Sequence, residues 1–141
     1  EYNVRMGDPE CQTILPLLKT DFLELILSCC EKKLKSQNIE WKNKKSMCIV
    51  LYSKGYPETY KKNVKISNLD KQKNDINSFI YHAGTQLIED KLYAIGGRVL
   101  NFVSISDNLK DSRDKVIKKI EDLGWKNGFY RKDIGYKIID K

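Results

Sequence analysis

The spacing of apolar residues changes after the polar run Lys35-Ser36-Gln37-Asn38, and this change restricts the fold more than any other feature of the sequence. Before the run, a helix begins around Thr20-Asp21, where Asp21 and Glu24 have the spacing of a capping box. This helix is apolar over more than half of its circumference, which predicts burial on two sides. Short apolar segments typical of strands follow the run. We therefore place a domain boundary between residues 1–37 and residues 38–141.

Further elements are predicted on both sides of this boundary. A first helix extends from Pro9 to about Leu18 and is interrupted near Pro16. Glycines are expected to form flexible joints at Ala83-Gly84-Thr85 and Gly96-Gly97. In chain order, the elements predicted after the boundary are strands at Ile39–Trp41, Met47–Tyr52, Ser78–His82, Lys91–Ile95 and Arg98–Ser106, a helix at about Leu109–Leu123 and a last segment at Phe129–Ile139.

The first residues of the chain carry a pattern suited to a metal ion. The strand period of two places Glu1, Asn3 and Arg5 on one face, and it directs Tyr2, Val4 and Met6 toward a core. A carboxylate and an amide oxygen suit Mg²⁺, which takes its other ligands from water and nucleotide phosphates. Arg5 is suited to bind a phosphate oxygen. A half-exposed edge strand can carry the same residues without a ligand, so the pattern alone leaves both interpretations open.

The next four residues, Gly7-Asp8-Pro9-Glu10, predict a tight turn into a helix. Asp8 is of a type preferred at the N-cap, and Pro9 suits the first helical position. A helix N-terminus placed here can face an anion. Because the chain starts at the strand, with nothing upstream to hold a nucleotide, we expect it to be the C-terminal part of a larger enzyme.

The composition limits the classes of function. With 141 residues, the chain has room for one ordinary domain, or for a small domain and the edge of another. The net charge of +7 and pI near 9.1 are compatible with nucleic-acid binding, but the lysines are spread among Asn and Ile rather than clustered with aromatic residues. We therefore regard nucleic-acid binding as the weaker interpretation. We expect a cytoplasmic protein with no membrane segment, because no apolar run is long enough to span a bilayer.

Cysteine spacing argues against a zinc site. The sequence has no C-x-x-C pair and a single histidine, His82. Buried, reduced thiols are therefore expected at all four cysteines, which are Cys11, Cys29, Cys30 and Cys48.

Six motifs, in this order, are similar to those of the phosphoribosylamine-glycine ligase family of ATP-grasp enzymes, also called glycinamide ribonucleotide synthetases. The resemblance extends over nearly the whole chain, and six ordered motifs are far more specific than any one of them. They are Glu1-Tyr2-Asn3-Val4-Arg5-Met6-Gly7-Asp8-Pro9-Glu10, Leu15-Pro16-Leu17-Leu18-Lys19-Thr20-Asp21, Gly55-Tyr56-Pro57, His82-Ala83-Gly84-Thr85, Gly96-Gly97-Arg98-Val99-Leu100 and Tyr130-Arg131-Lys132-Asp133-Ile134-Gly135.

The resemblance implies an α+β fold. Residues 1–37 would be the tail of an ATP-grasp module, a strand plus helices, and residues 38–141 would be a mainly antiparallel sheet domain with helices. Two upstream domains of the family would precede them. The implied enzyme joins glycine to 5-phosphoribosylamine in purine biosynthesis, through a glycyl phosphate, and uses ATP with Mg²⁺ or Mn²⁺. Without the upstream domains, this chain would be inactive by itself.

The resemblance also implies roles for individual residues. Glu1 and Asn3 match the metal-ligand pair, and Arg5 is placed to neutralise charge on the transferring phosphoryl group, so the three would hold the metal-nucleotide complex. Asp8 would contact the substrate amine or cap its helix, and we favour the substrate contact. Gly97 would let the backbone approach a substrate, and Arg98 would bind the ribose phosphate or the glycine carboxylate, unless it forms a structural ion pair.

Three further residues of these motifs are weaker candidates. Arg131 and Lys132 are less secure substrate contacts, and a structural hydrogen bond is the favoured role of His82. The sequence departs from the family pattern at Ala94-Ile95, where Thr-Asn is frequent, which places a side-chain hydrogen bond to substrate from these positions in doubt. It departs again at Asn63, where glycine is common and where Asn tolerates a left-handed turn.

Two alternatives stay open at this point. One is the corresponding part of another ATP-grasp enzyme, such as a biotin-dependent carboxylase. The other is a basic, non-catalytic module that binds nucleic acid.

Overall fold

The computed structural model describes residues 4–72 and 76–139. The helices in this part of the chain are α1 (Glu10–Ile14), α2 (Phe22–Cys30), α3 (Leu109–Leu123) and α4 (Tyr136–Ile139), with short 3-10 helices at Leu15–Leu17 and Leu34–Ser36. The strands are β1 (Lys45–Ser53), β2 (Val64–Lys65), β3 (Ser78–His82), β4 (Thr85–Ile88), β5 (Lys91–Ala94), β6 (Arg98–Ser106) and β7 (Gly128–Phe129).

The first helices confirm the sequence prediction in outline. α1 gives way to a 3-10 turn that contains Pro16, a residue whose ring and missing N–H do not fit a helix interior. α2 begins after Asp21, whose carboxylate accepts hydrogen bonds from the main-chain N–H groups of Leu23 (2.7 Å) and Glu24 (3.2 Å). Asp21 is therefore the N-cap, as its residue type predicts.

The prediction that α2 is buried on two sides is wrong for this chain. Only Leu25 and Ser28 of the helix are buried. The apolar side chains of Phe22, Leu23, Ile26 and Leu27 are 42–61% exposed. Cys29 and Cys30, at the last turn, are also exposed rather than buried.

The main sheet has the strand order β3-β6-β1-β7, and all its pairs are antiparallel. β1 and β6 are its long central strands, in register from Lys45 opposite Ser106 to Leu51 opposite Leu100. A one-residue shift then follows, so that Tyr52 lies opposite Arg98 and Val99 is the extra residue of a bulge. A smaller sheet, β2-β5-β4, is also antiparallel.

The two faces of the main sheet are covered by different helices. α3 packs on one face, where its Val116 and Leu123 join Ile49, Leu51 and Phe102 in the core. α3 starts at the N-cap Asn108 and ends at Gly124 in the left-handed conformation. The opposite face, which includes Cys48 and Tyr52, is covered by α1 and the 3-10 turn. This second face carries the candidate site.

Several local predictions differ from the structure. Residues 4–6 form no strand, and Val4 has a φ of 49° and is fully exposed, so its side chain does not reach a core. Ile39–Trp41 contributes one isolated bridge, Leu18 to Trp41, instead of a strand. The backbone at Gly84 passes close to that of Gly96, and a Cβ on Gly84 would lie 2.6 Å from the Gly96 backbone. The Ala83-Gly84-Thr85 segment is therefore a tightly packed crossing rather than a flexible joint, and it leads into β4. Asn63 adopts the expected left-handed conformation, with a φ of 55°.

Candidate functional site

The structure brings Asp8 and Arg98 together although they are far apart in the sequence. Nη1 of Arg98 lies 3.1 Å from Oδ2 of Asp8, and it also donates to the Asp8 main-chain carbonyl at 3.2 Å. The other carboxylate oxygen, Oδ1, accepts a hydrogen bond from Nε2 of Gln12 at 2.7 Å. Two motifs that suggested the same family therefore meet at one point, on the α1 side of the sheet. Both side chains are about half exposed, so this point is open to solvent.

Asp8 is not the N-cap of α1, which corrects the prediction from its position before Pro9. α1 starts at Glu10 with Pro9 as the capping position, and no side chain caps it. The Asp8 carboxylate is directed to Gln12 and Arg98 instead. The turn is closed by Glu10, whose carboxylate accepts a hydrogen bond from the Gly7 N–H at 2.7 Å. Since α1 has only five residues, its N-terminus offers little of a helix dipole to an anion.

Gly97 is covered by an aromatic ring rather than open to a ligand. A side chain at this position would overlap the ring of Tyr56. Tyr56 in turn stacks on Tyr52, with ring centroids 5.5 Å apart and planes 7° apart. The backbone approach predicted at Gly97 is therefore made by Tyr56, and the stacked pair forms an aromatic corner beside Arg98.

Ser53 fixes the Gly96-Gly97 segment to the end of β1. Its hydroxyl donates to the Gly96 carbonyl at 2.8 Å, and its main-chain N–H donates to the Gly97 carbonyl at 2.7 Å. Ser53 is buried. The backbone immediately before Arg98 is thus tied to the central strand of the sheet.

Arg131 and Asp133 form a bidentate ion pair. Nε and Nη2 of Arg131 donate to the two carboxylate oxygens of Asp133 at 3.0 and 2.6 Å. This contact raises the pKa of the Arg131 guanidinium and lowers the pKa of the Asp133 carboxyl group. The main-chain carbonyl of the neighbouring Lys132 accepts a hydrogen bond from Arg113. These contacts of Arg131 and of the Lys132 main chain are structural, and a substrate contact by either side chain stays a prediction.

His82 lies at the end of β3 and has a structural partner, in agreement with the favoured role. Its Nδ1 is 2.8 Å from the hydroxyl of Thr85, at the start of β4. The ring also borders an open cleft of about 660 Å³, which is lined in addition by Met6, Asp8, Gln12 and Tyr81. Asp8 of the Asp8–Arg98 pair lines this cleft.

Two thiols lie beneath the same face of the sheet. Burial raises the pKa of the Cys48 thiol to about 12, with a smaller contribution from the negative charge of Asp8. Cys11, on α1, is half-buried. Burial also raises the pKa of the Tyr81 hydroxyl. Cys48 is itself half-buried rather than fully buried, and its raised pKa keeps the thiol protonated at neutral pH.

The predicted metal ligands Glu1 and Asn3 lie outside the described residues. Within residues 4–72 and 76–139, no group of three or more His, Cys, Asp or Glu side chains is arranged to hold a metal ion. Arg5 is exposed, and the printed contact of its guanidinium is a long one, 3.5 Å, to the Met6 carbonyl. A carboxylate and an amide oxygen suit a hard cation, and a guanidinium suits the phosphate groups that would accompany it.

Sequence reasoning missed Gln12, which holds Asp8, and Tyr52 and Tyr56, which form the aromatic corner. The motif Gly55-Tyr56-Pro57 pointed to the position of Tyr56, but nothing in the sequence indicated that its ring lies against Gly97. Gln12 follows Asp8 by four residues at the predicted start of the helix, a spacing that brings side chains together, and this signal was available.

Comparisons of this chain with known proteins all point to one family. Residues 46–137 match the family model described as phosphoribosylglycinamide synthetase, C domain. A phosphoribosylamine-glycine ligase of Caldanaerobacter subterraneus is 46% identical over 134 residues, which cover 95% of this chain and 31% of the relative. The corresponding ligase of Fusobacterium nucleatum is 46% identical over 136 residues, or 96% of this chain and 32% of the relative.

More distant relatives agree. A bifunctional purine biosynthetic protein of Dictyostelium discoideum is 42% identical over 141 residues, covering 99% of this chain and 17% of the relative. The crystal structure of the phosphoribosylamine-glycine ligase of Thermotoga maritima superposes with a TM-score of 0.69 at 26% identity, and covers 94% of this chain and 32% of that one. This chain spans about a third of the length of the ligases it matches. The matched C-domain model, the identities and the superposition together show that the chain belongs to the phosphoribosylglycinamide synthetase family.

Proposed function

We propose that this chain is the C-terminal part of an ATP-dependent ligase that joins glycine to 5-phosphoribosylamine. ATP activates the glycine carboxylate as glycyl phosphate, and the amine of phosphoribosylamine then attacks it, which yields glycinamide ribonucleotide, ADP and phosphate. The observation that carries this proposal is the meeting of Asp8 and Arg98, because two of the motifs behind the family resemblance converge there in space. The names of relatives at 46% identity support the same activity.

The proposal divides the chain into residues 1–37, the tail of an ATP-grasp module, and residues 38–141, the C-terminal domain of the ligase. The start of the matched C-domain model at residue 46 supports this division. The exposed apolar side chains of α2 support it as well, since a monomer rarely leaves such a row uncovered. We infer that upstream domains of the intact ligase cover this side of α2.

The site residues take the following roles in this proposal. Glu1 and Asn3 hold Mg²⁺ or Mn²⁺ together with the phosphates of ATP, and Arg5 neutralises charge on the phosphoryl group in transfer. The metal supplies a positive charge that stabilises the transferring phosphoryl group. Asp8 contacts the substrate amine, and Gly97 and Arg98 belong to the same substrate-binding corner. No nucleophilic side chain is needed, because phosphoryl transfer depends on positioning and on cations.

Phosphoribosylamine and glycine both carry charges that this corner can recognise. Asp8 supplies negative charge for an amine, and Arg98 contacts the same carboxylate from the start of β6. The corner lies on the second face of the sheet, above the rigid strands β1 and β6. We place the protein in the cytoplasm, and within the described residues no helix has the length and apolar character needed to cross a bilayer.

Product analysis of the full-length protein tests the proposal. With Mg²⁺-ATP, glycine and phosphoribosylamine, we expect glycinamide ribonucleotide, ADP and phosphate to form in equal amounts. Omission of either substrate is the control, and the 141-residue chain alone is expected to show no turnover. Carboxylation of biotin by the full-length protein would favour the other ATP-grasp assignment. Sub-micromolar, salt-sensitive binding of RNA or DNA without ligase activity would favour the nucleic-acid-binding module.

A further inference from the structure

We propose that Arg98 is a positioning residue of the ligase, which holds Asp8 and the turn before α1 in their working geometry. This inference rests on the proposed function and specifies how Arg98 serves that site. In this proposal Arg98 acts on the reaction through Asp8 rather than by binding the substrate phosphate or carboxylate itself.

The contact has two parts, and both come from one nitrogen. Nη1 of Arg98 reaches the Asp8 carboxylate at 3.1 Å and the Asp8 main-chain carbonyl at 3.2 Å. A bond to the carboxylate alone would fix only the rotamer of the side chain. The second bond also restrains the backbone of the turn, so Arg98 determines the position of the whole segment around Asp8.

The carboxylate of Asp8 is held from its other side as well. Gln12 donates to Oδ1 at 2.7 Å, while Glu10 closes the turn through the Gly7 N–H. Asp8 is therefore fixed between a short helix and the sheet. Of its two anchors, Gln12 belongs to the same local segment as Asp8, and only Arg98 belongs to the sheet.

The Arg98 end of the contact is rigid. Arg98 begins β6 directly after Gly97, whose carbonyl accepts the N–H of the buried Ser53 at 2.7 Å. The next residues of β6, Val99 and Leu100, are completely buried. Arg98 belongs to a buried central strand, whereas Asp8 lies in a turn before a helix of only five residues. We therefore regard Arg98 as the fixed partner and the Asp8 turn as the restrained one.

The position of the turn matters for the phosphoryl-transfer residues, because Arg5 lies only three residues before Asp8. Loss of the Arg98 contact would let this segment shift. A small misplacement of a reacting group lowers turnover, by up to about a hundredfold for 1 Å. Loss of a residue that binds a substrate directly would instead raise the Michaelis constant of that substrate.

Kinetics of the full-length ligase separate these two roles. In Arg98→Ala, we expect kcat to fall between about tenfold and a hundredfold, with the KM values of glycine and phosphoribosylamine nearly unchanged. Arg98→Lys, which keeps a cation near the carboxylate, should recover part of kcat. The Arg98→Ala/Asp8→Asn double variant should lose less than the product of the two single losses, because the two substitutions share the carboxylate contact, while only Arg98→Ala also removes the bond to the Asp8 main-chain carbonyl.

The opposite pattern would overturn the proposal. A large rise in the KM of one substrate at unchanged kcat, with losses that multiply in the double variant, would show that Arg98 binds that substrate directly. The proposed ligase function would survive that result. If the wild-type protein instead forms no glycinamide ribonucleotide, the ligase function itself fails.

Hydrogen exchange of the full-length protein tests the contact independently of activity. The Cys11 N–H donates to the Gly7 carbonyl across the turn at 2.9 Å. We expect this amide to exchange faster in Arg98→Ala, while it stays unchanged in a control at the exposed Lys110, Lys110→Ala. Unchanged exchange in Arg98→Ala would overturn the positioning role.

Discussion

The ring of Tyr56 occupies the space that a side chain at Gly97 would need. The glycine is therefore required by a neighbouring side chain, and this requirement holds whether or not a substrate comes close. Because Tyr56 also stacks on Tyr52 at 5.5 Å, it cannot move aside without loss of that contact. The packing of the aromatic corner therefore depends on the close contact between Gly97 and Tyr56.

Gly97→Ala is expected to destabilise the protein because the added methyl group overlaps the Tyr56 ring. Overpacking of this kind costs about 1–3 kcal/mol of the free energy of unfolding. Tyr56→Ala should remove most of this penalty, so that Gly97→Ala costs much less in that background. Urea denaturation of the four proteins of the cycle measures the coupling. An equal cost of Gly97→Ala in both backgrounds would contradict the explanation.

Cys48 should resist alkylation in the native protein. Its pKa of about 12 keeps the thiol protonated, and thiolate is the reactive form. Between pH 7 and pH 9, Cys48 should therefore stay unlabelled, whereas the exposed Cys29 and Cys30 should be labelled. Iodoacetamide treatment of the 141-residue chain followed by peptide mass mapping gives the measurement, and unfolding in urea provides the positive control. Labelling of native Cys48 at the rate of Cys29 would show that the site is not buried.

The carboxyl group of Asp133 should titrate below its usual range because Arg131 donates two hydrogen bonds to it. A pKa lowered in the folded state stabilises the protein above the pKa of the unfolded chain, and this contribution is lost as the pH falls through the folded value. Both groups are solvent-exposed, so the effect on stability is small and the titration itself is the better measurement.

NMR titration of the carboxyl groups tests this prediction with an internal control. Arg131→Gln should raise the pKa of Asp133 toward its ordinary value. The pKa of Asp107, which is lowered by Lys44, should stay where it is. A pKa of Asp133 that does not respond to Arg131→Gln would refute the assigned cause.

Glu1→Ala or Asn3→Ala in the full-length ligase should lower kcat by about a hundredfold to a thousandfold, which is typical when a group that stabilises transition-state charge is removed. The folded structure should be retained, as judged by circular dichroism and thermal unfolding. A higher Mg²⁺ concentration should restore part of the activity if the residues bind the metal. Unchanged kcat and unchanged Mg²⁺ dependence would remove them from the metal site.

Much of the secondary structure followed from the sequence, and the reasons are local. The long strands β1 and β6 are nearly continuous apolar runs, and α3 has a cap at each end and apolar residues at helical spacing. Asp21 was identified as an N-cap because capping needs only the residue type and two nearby N–H groups. The fold class and the family were likewise confirmed.

Features that depend on distant partners could not be predicted in the same way. Asp8 has the residue type of an N-cap, but Arg98 and Gln12 take its carboxylate. Gly97 was predicted to let the backbone approach a substrate, and the group that lies against it in the structure is the Tyr56 ring. The burial predicted for α2 was wrong because an apolar pattern shows only which surface a helix is able to bury. The described residues supply no partner that covers the exposed apolar side chains of α2.

The bulge at Val99 has a consequence for how this part of the protein can change. If the pairing stayed regular through Val99, Val99 would lie opposite Tyr52, and Arg98 would turn toward the α3 side, into the layer that holds Leu100 and Phe102. A regular strand of the same length would thus remove the cation from Asp8 and bury a charge at the same time. Substitutions along β6 that keep the bulge therefore keep Arg98 on the Asp8 side, whereas a change that makes the pairing of β1 and β6 regular does not.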